Sequence, residues 1–146
     1  SHREPGIHAL RHLISLLTAL LLAACTASDA PAAPSLAGTA WTLQSIAGVP
    51  VGKTQRQPSI RFVSETQVGG HGGCNSWGGS YELKGNVIKF GQLHTTLMAC
   101  EHGMDIESQF HAMLKRVRTV TMTGGALVFK DDAGAELARF ARAPTR

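Results

Sequence analysis

Residues 69–81 read GGHGGCNSWGGSY, a stretch in which six glycines surround His71, Cys74, Asn75 and Trp77. Glycine-rich stretches bind phosphates when they open a helix or end in Gly-Lys-Ser/Thr. Here Asn75 stands where a dinucleotide fingerprint has its third glycine, no lysine is present, and a strand-like segment follows. The stretch is therefore not a nucleotide loop. A metal site, a cysteine nucleophile and a cross-linked bend in a sheet remain.

The N-terminal segment predicts export from the cytoplasm. A basic head is followed by an apolar run, residues 13–24, which ends directly before Cys25. This is the pattern of a secretory signal, and the run is shorter than the ~20 residues of a membrane-spanning helix. Because LAAC at residues 22–25 resembles a bacterial lipobox, we interpret residues 1–24 as a lipoprotein signal peptide and Cys25 as the acylated residue. An ordinary export signal cleaved nearby is the alternative.

The segment after Cys25 is short and rich in proline and alanine. Residues 25–37 are interpreted as a flexible lipid-anchored tether, and residues 38–143 as one folded domain. The whole chain of 146 residues has a formal net charge of only +4, and its basic residues are scattered. Nucleic-acid binding requires a basic stripe with stacking aromatics, so we expect no nucleic-acid partner.

Apolar periodicity predicts an α+β fold. Segments with a two-residue period are predicted strands, at residues 39–46, 59–63, 80–83, 87–90, 95–99, 118–123, 127–130 and 136–142. Between Met104 and Val117 the apolar residues follow helical spacing instead. Asp105 and Glu107 are interpreted as solvated carboxylates that favour the start of this helix. We expect a curved antiparallel sheet with one amphipathic helix packed on it.

Two cysteines lie in the predicted domain, Cys74 and Cys100. In an oxidising compartment such a pair is more economically joined as a disulfide, which is the favoured interpretation. His71 and His102 lie close in sequence to the cysteines, so a Cys2His2 zinc site is the main alternative. A nucleophilic Cys74 with a histidine base is a weaker one.

Three motifs give the chain a resemblance to a known family. They are Gly73-Cys74-Asn75-x-x-x-Gly79-x-Tyr81, Thr96-x-Met98-Ala99-Cys100 and Glu107-x-x-Phe110-x-x-x-Leu114. In this order they resemble the META domain, the HslJ-like family of bacterial envelope lipoproteins, over nearly all of the chain after the tether. The resemblance implies a sheet partly closed like a barrel, with one helix. It offers no catalytic residue and no cofactor.

The resemblance also implies a location and a role. It places the protein on the periplasmic face of the outer membrane, and Thr26 fits because an Asp after the acylated cysteine typically retains such proteins at the inner membrane. Relatives are associated with heat stress and tolerance of envelope antibiotics. We expect a non-enzymatic, monomeric, lipid-anchored protein that binds a partner or small ligand, with Asn75, Trp77 and Tyr81 as a possible binding surface.

Two other functions remain open at this point. A zinc-binding or hydrolytic module would use His71, Cys74, Cys100 and His102. An inhibitor or adaptor domain would insert the glycine-rich loop, residues 69–81, into another protein.

Overall fold

The computed structural model of the chain describes residues 34–144. The predicted signal peptide, the predicted acylation site Cys25 and residues 25–33 of the predicted tether lie outside the described residues. Within the described range, no helix has the length and apolar character needed to cross a membrane.

Nine strands and one helix make up this part of the chain. In chain order they are β1 (Ala40–Ile46), β2 (Val49–Pro50), β3 (Ser59–Phe62), β4 (Gln67–His71), β5 (Ser76–Lys84), β6 (Val87–Thr95), α1 (Met104–Arg116), β7 (Thr119–Thr123), β8 (Ala126–Lys130) and β9 (Glu136–Arg142). The periodicity located the helix and most strands to within a few residues. The predicted α+β class is confirmed.

The sheet closes on itself as a ring. The strands of the ring follow the order β1, β3, β4, β5, β6, β7, β8 and β9, and each pairs with the next. Strand β9 pairs back to β1, and every pairing is antiparallel. The short β2 pairs only with the end of β1. The join between β6 and β7 is much weaker than the others, because Val87 and Thr119 form its one register pair. The ring therefore has a seam at this point.

The core lies where the inward faces of the strands meet the apolar face of α1. Trp41, Ile60 and Phe140 from the sheet are fully buried, as is Phe110 of the helix. The ring of Phe110 lies 5.6 Å from that of Trp77 and 6.5 Å from that of Phe140, measured between centroids. Each such burial contributes about 1.5–3 kcal/mol. Helix and sheet thus share one core.

The glycine-rich stretch is part of the sheet and is cross-linked as the favoured interpretation expected, but the strands within it were not predicted. It forms the end of β4 and the start of β5, and residues 72–75 connect the two strands. The predicted strand at residues 95–99 is wrong, because β6 ends at Thr95. The segment after Thr95 instead bonds to the side chain of Asn75. A long-range side-chain contact therefore determines the path of this loop.

Cys74 and Cys100 form a disulfide with their Cα atoms 5.8 Å apart. The bond joins the β4–β5 connection to the loop that leads into α1. Closing a loop of this length stabilises the fold by about 3.5 kcal/mol on the chain-entropy model. The cross-link therefore holds the glycine-rich stretch beside the start of the helix.

A β-bulge interrupts the β5–β6 ladder. Between the Gly79–Leu93 and Tyr81–Phe90 pairs, Ser80 alone on β5 faces two residues, Gly91 and Gln92, on β6. A bulge of this kind shifts the alternation of side chains by one position. Phe90 and Leu93 can consequently pack against the same core although they are three residues apart.

Candidate functional site

A buried carboxylate bridges α1 and the β4–β5 connection. Glu107, in the first turn of α1, is only 8% exposed. Its Oε2 accepts the backbone N–H groups of Cys74 at 3.0 Å and Asn75 at 2.6 Å. Its Oε1 accepts the Nδ2–H of Asn75 at 2.8 Å. We call Glu107, Cys74, Asn75, Thr96 and Met98 the Glu107 cluster.

Asn75 extends this cluster to the loop after β6. Its Oδ1 accepts the hydroxyl of Thr96 at 2.9 Å and the backbone N–H of Met98 at 2.7 Å. Its Nδ2 also donates to the Met98 carbonyl at 3.2 Å. Asn75 is 3% exposed, and these bonds satisfy both ends of its amide. Asn75 therefore joins the β4–β5 connection to α1 and to the loop after β6.

Two glycines let the backbones approach closely beside the cluster. Gly73 has φ 136° and Gly103, the residue before α1, has φ 98°. A Cβ atom on either one would lie 2.7 Å from the carbonyl oxygen of the other. Both the conformation and the contact exclude other residues here. α1 begins without a side-chain cap, and the connection packs directly against the residue before its first turn.

The Glu107 pKa is determined by opposing effects. Burial raises the pKa, but hydrogen bonds from Asn75 and Cys74 and the nearby His111 favour the charged form. Their sum leaves the pKa below the ordinary glutamate value. Glu107 is therefore a carboxylate at neutral pH, and the sequence interpretation of it as a solvated group at a helix start is wrong.

The predicted binding surface of Asn75, Trp77 and Tyr81 is wrong, because all three side chains are buried. Trp77 is 4% exposed and Tyr81 is 1% exposed. The Trp77 Nε1–H donates to the Ser59 carbonyl at 3.3 Å, and the Tyr81 hydroxyl donates to the Ser64 carbonyl at 2.7 Å. These residues pack the core and anchor neighbouring strands.

The alternative zinc set of His71, Cys74, Cys100 and His102 does not form a ligand group. The two sulfurs are bonded to each other, so neither is a free thiolate, which also removes the nucleophilic role of Cys74. The ring of His71 faces Arg56 and Ser76. Across residues 34–144, no three His, Cys, Asp or Glu side chains are grouped as a metal would require.

The glycine-rich stretch is also not a protruding loop. Residues 69–71 lie in β4 and pair with residues 76–78 of β5. Gly72, Gly73 and Cys74 are buried beneath α1 and the disulfide. Insertion of this loop into another protein, as an inhibitor or adaptor would require, therefore conflicts with its place in the sheet.

A groove opens at the seam of the sheet. It has a volume of about 750 Å³, within the range of small-ligand sites. Its lining consists of residues 87–93 and Thr95 of β6, and of His111, Leu114, Lys115, Val117 and Arg118 at the end of α1 and just after it. We call this feature the β6–α1 groove. Helix α1 lies beside the part of β6 that does not pair with β7, and the groove is the space between the helix and that part of the strand.

His111 is one of the polar residues among the groove lining. Its Nε2 is buried and has no hydrogen-bond partner among the described residues. Burial lowers the pKa of His111, the charge of Glu107 raises it, and Lys115 lowers it, with a net decrease. The ring is therefore neutral at pH 7, and Nε2 can donate or accept one hydrogen bond depending on the tautomer.

Sequence reasoning missed Glu107, His111 and the groove for different reasons. An acidic residue in the first helical turn is expected from the helix dipole, so that position gives no reason to assign Glu107 a further role. Its place in the third family-like motif was the one available signal. His111 stands beside the apolar stripe of α1 and carries no motif. The groove depends on how two distant segments separate, which periodicity does not report.

Comparison with known proteins adds three findings. A family model described as META domain matches residues 34–144. An NMR structure of a protein from Burkholderia xenovorans is 25% identical, covers 75% of this chain and 85% of its own, and has a TM-score of 0.60. A second NMR structure, 22% identical with coverages of 73% and 90% and a TM-score of 0.59, shows the fold alone. A search of curated proteins finds no match.

Glu107→Ala is expected to destabilise the protein by about 3 kcal/mol or more, since it leaves three buried donors without an acceptor. Urea unfolding at neutral pH measures this. Asp105→Ala is the matched control, because Asp105 is exposed in the same helical turn. This substitution removes a similar interaction with the helix dipole and should lower the free energy of unfolding by about 1 kcal/mol or less. Equal losses in the two variants would contradict the role of the Glu107 cluster.

Stability is also expected to depend on the Glu107 proton. Its pKa is lower in the folded than in the unfolded state, so its contribution is complete above the unfolded value of about 4.3. That contribution is lost as the pH falls through the folded pKa. Urea unfolding from neutral pH to about pH 3 should show this decline, and Glu107→Gln should show less of it. Identical pH profiles would disprove the assignment.

Proposed function

Because this chain belongs to the META domain family, we propose that it is a non-enzymatic binding module of the bacterial cell envelope. In this proposal the β6–α1 groove takes an apolar ligand or the apolar side chains of a partner. The observation that carries it is a groove of about 750 Å³ whose lining is mostly apolar, with a few polar side chains, among them His111 and Thr95. Ligand sites commonly combine apolar walls with a few such polar groups.

The groove is held open by the core on both sides. Ile88 on β6 and Leu114 and Val117 by the helix are buried in the core while they line the groove. Their positions are therefore determined by packing, and a ligand does not have to order the walls before it binds. Preformed walls reduce the conformational cost of binding.

The polar residues outside the groove support a non-enzymatic role. The Nδ1 atom of His71 lies 3.3 Å from the Ser76 hydroxyl, as in a nucleophile–base pair. The third member of such a set is normally a carboxylate that stabilises the imidazolium. Here Arg56 lies on the other ring nitrogen at 3.2 Å. Burial and the Arg56 charge both lower the pKa of His71, which opposes its action as a base.

The proposed location follows from the N-terminal sequence. The lipobox-like residues before Cys25 support acylation, and the proline- and alanine-rich residues 25–37 would hold the domain near the membrane surface. Acylation and Thr26 together support a location of the protein on the periplasmic face of the outer membrane. The family resemblance adds a role in tolerance of heat or envelope antibiotics, which binding of a membrane-derived or envelope ligand would serve.

Anchoring is tested by the intact mass of the protein extracted from its host's membranes. The expected mass begins at Cys25 and includes acyl chains, and Cys74 and Cys100 should react with an alkylating agent only after reduction. A Cys25→Ala variant should move to the soluble periplasmic fraction. Full release of the protein with Cys25 intact would overturn the anchor.

Groove binding is tested with the uncharged fluorescent dye N-phenyl-1-naphthylamine. Saturable binding is expected, and Thr95→Trp should weaken it about tenfold or more because the ring narrows the groove. Thr123→Trp is the matched control, since Thr123 is an exposed strand residue away from the groove. Absence of saturable binding, or equal binding by both variants, would refute the groove as the functional site.

A further inference from the structure

Strand β6 has a strand neighbour on only one side for most of its length. It pairs with β5 from Val87 to Thr95, but with β7 only through Val87. Two backbone bonds flank that pair, from Ile88 N–H to the Arg118 carbonyl and from Val120 N–H to the Asn86 carbonyl. Beyond Ile88 no other strand of residues 34–144 continues the ladder on this side. The open edge runs along the β6–α1 groove.

Alternation along the strand identifies the backbone groups on this edge. The Ile88 N–H points away from β5 and toward Arg118, so the N–H and C=O of Phe90 point the same way. The Thr96 N–H donates to the carbonyl of Ser76, the first residue of β5. The backbone groups of His94 therefore also face β5, and those of Leu93 and Thr95 face the open side. The bulge at Gly91 and Gln92 connects the two halves. Phe90, Leu93 and Thr95 thus offer a row of donors and acceptors to the groove.

We propose that the β6–α1 groove binds an extended, acidic segment of another protein as an additional strand on β6. This inference rests on the proposed function and names the class of partner. Strand addition supplies backbone hydrogen bonds for affinity, while alternate side chains enter pockets for specificity. Apolar side chains of the segment would face Phe90, Leu93 and Leu114, and its other side chains would face the rim.

Backbone chemistry favours a peptide over an acyl chain. A lipid tail along this edge would remove the groove-facing N–H and C=O groups from water without giving them partners. Each such loss costs about 1–3 kcal/mol in proteins. A peptide strand satisfies them.

The charges at the groove favour an acidic segment. Lys89, Lys115 and Arg118 belong to its lining, and none of the described lining residues is acidic. Neither Lys89 nor Lys115 forms an ion pair within residues 34–144. Glu82 lies opposite Lys89 on β5, outside the groove. The rim therefore presents net positive charge, which selects carboxylates through complementarity.

The test uses an acetylated and amidated eight-residue peptide of alternating valine and glutamate. It should displace N-phenyl-1-naphthylamine from the mature protein. In NMR spectra it should shift the amide protons of Phe90, Leu93 and Thr95 and slow their exchange with solvent. A control peptide has the same sequence, but every second amide nitrogen is methylated, so that one edge of the strand has no N–H donors. Its affinity should be lower by about tenfold or more. Side chains and charge are the same in both.

Charge selection is tested in the same assay. A peptide of alternating valine and lysine should displace the dye at least about tenfold less effectively than the glutamate peptide. Lys115→Glu should reduce this preference, because Lys115 is exposed on the groove rim and its replacement does not disturb the core. An unchanged preference would contradict the acidic specificity.

The outcomes separate this inference from the proposed function. If the dye binds but neither peptide displaces it, or if the N-methylated peptide competes equally, strand addition is wrong and the groove remains a ligand site. Displacement of the dye by decanoate and not by the peptide would assign the groove to an acyl chain instead. If the dye itself does not bind saturably, the proposed function fails first.

Discussion

The buried carboxylate of Glu107 is the interaction on which the arrangement of the domain depends. It joins α1 to the connection between β4 and β5, and through Asn75 it also holds the loop after β6. The β4–β5 connection and the loop after β6 are not part of any strand, so these side-chain bonds determine their positions. Burial of the carboxylate is tolerated because three donors surround it. The disulfide from Cys74 to Cys100 strengthens the same junction covalently.

The sequence predicted the elements well and their junctions poorly. Residues 136–142 matched β9 and the helical spacing matched α1, because burial on one face imposes a period that the sequence retains. The predicted strand after Thr95 was wrong because bonds to the Asn75 side chain, and not strand propensity, determine the backbone path there. Asn75, Trp77 and Tyr81 were identified as special positions, but polarity and aromaticity do not distinguish a buried anchor from a binding surface. The side of the sheet that a residue faces depends on pairing register.

Most of the β6–α1 groove lies outside the family-like motifs, which share only Leu114 with its lining. Those motifs build the Glu107 cluster and the disulfide, which fix where α1 begins. The direction of α1 then decides how far its last turn stands from β6, and this distance creates the groove. The residues at its rim, such as Lys89 and Lys115, belong to none of the motifs. A shared scaffold can accordingly present different rims, which is consistent with a fold that does not itself define a function.

Pairing of β1 with β9 joins the first and last ring strands of the described chain. Contacts between such distant residues form slowly, because a long loop must close before any of them is made. During synthesis or translocation from the N-terminus, β1 lacks this neighbour until β9 arrives. Trp41 and Leu43, which are fully covered in the folded domain, remain partly open to water until then. Arrival of β9 therefore closes the ring and completes the burial of Trp41 and Leu43, so the domain acquires its full core only with the last strand of the described chain.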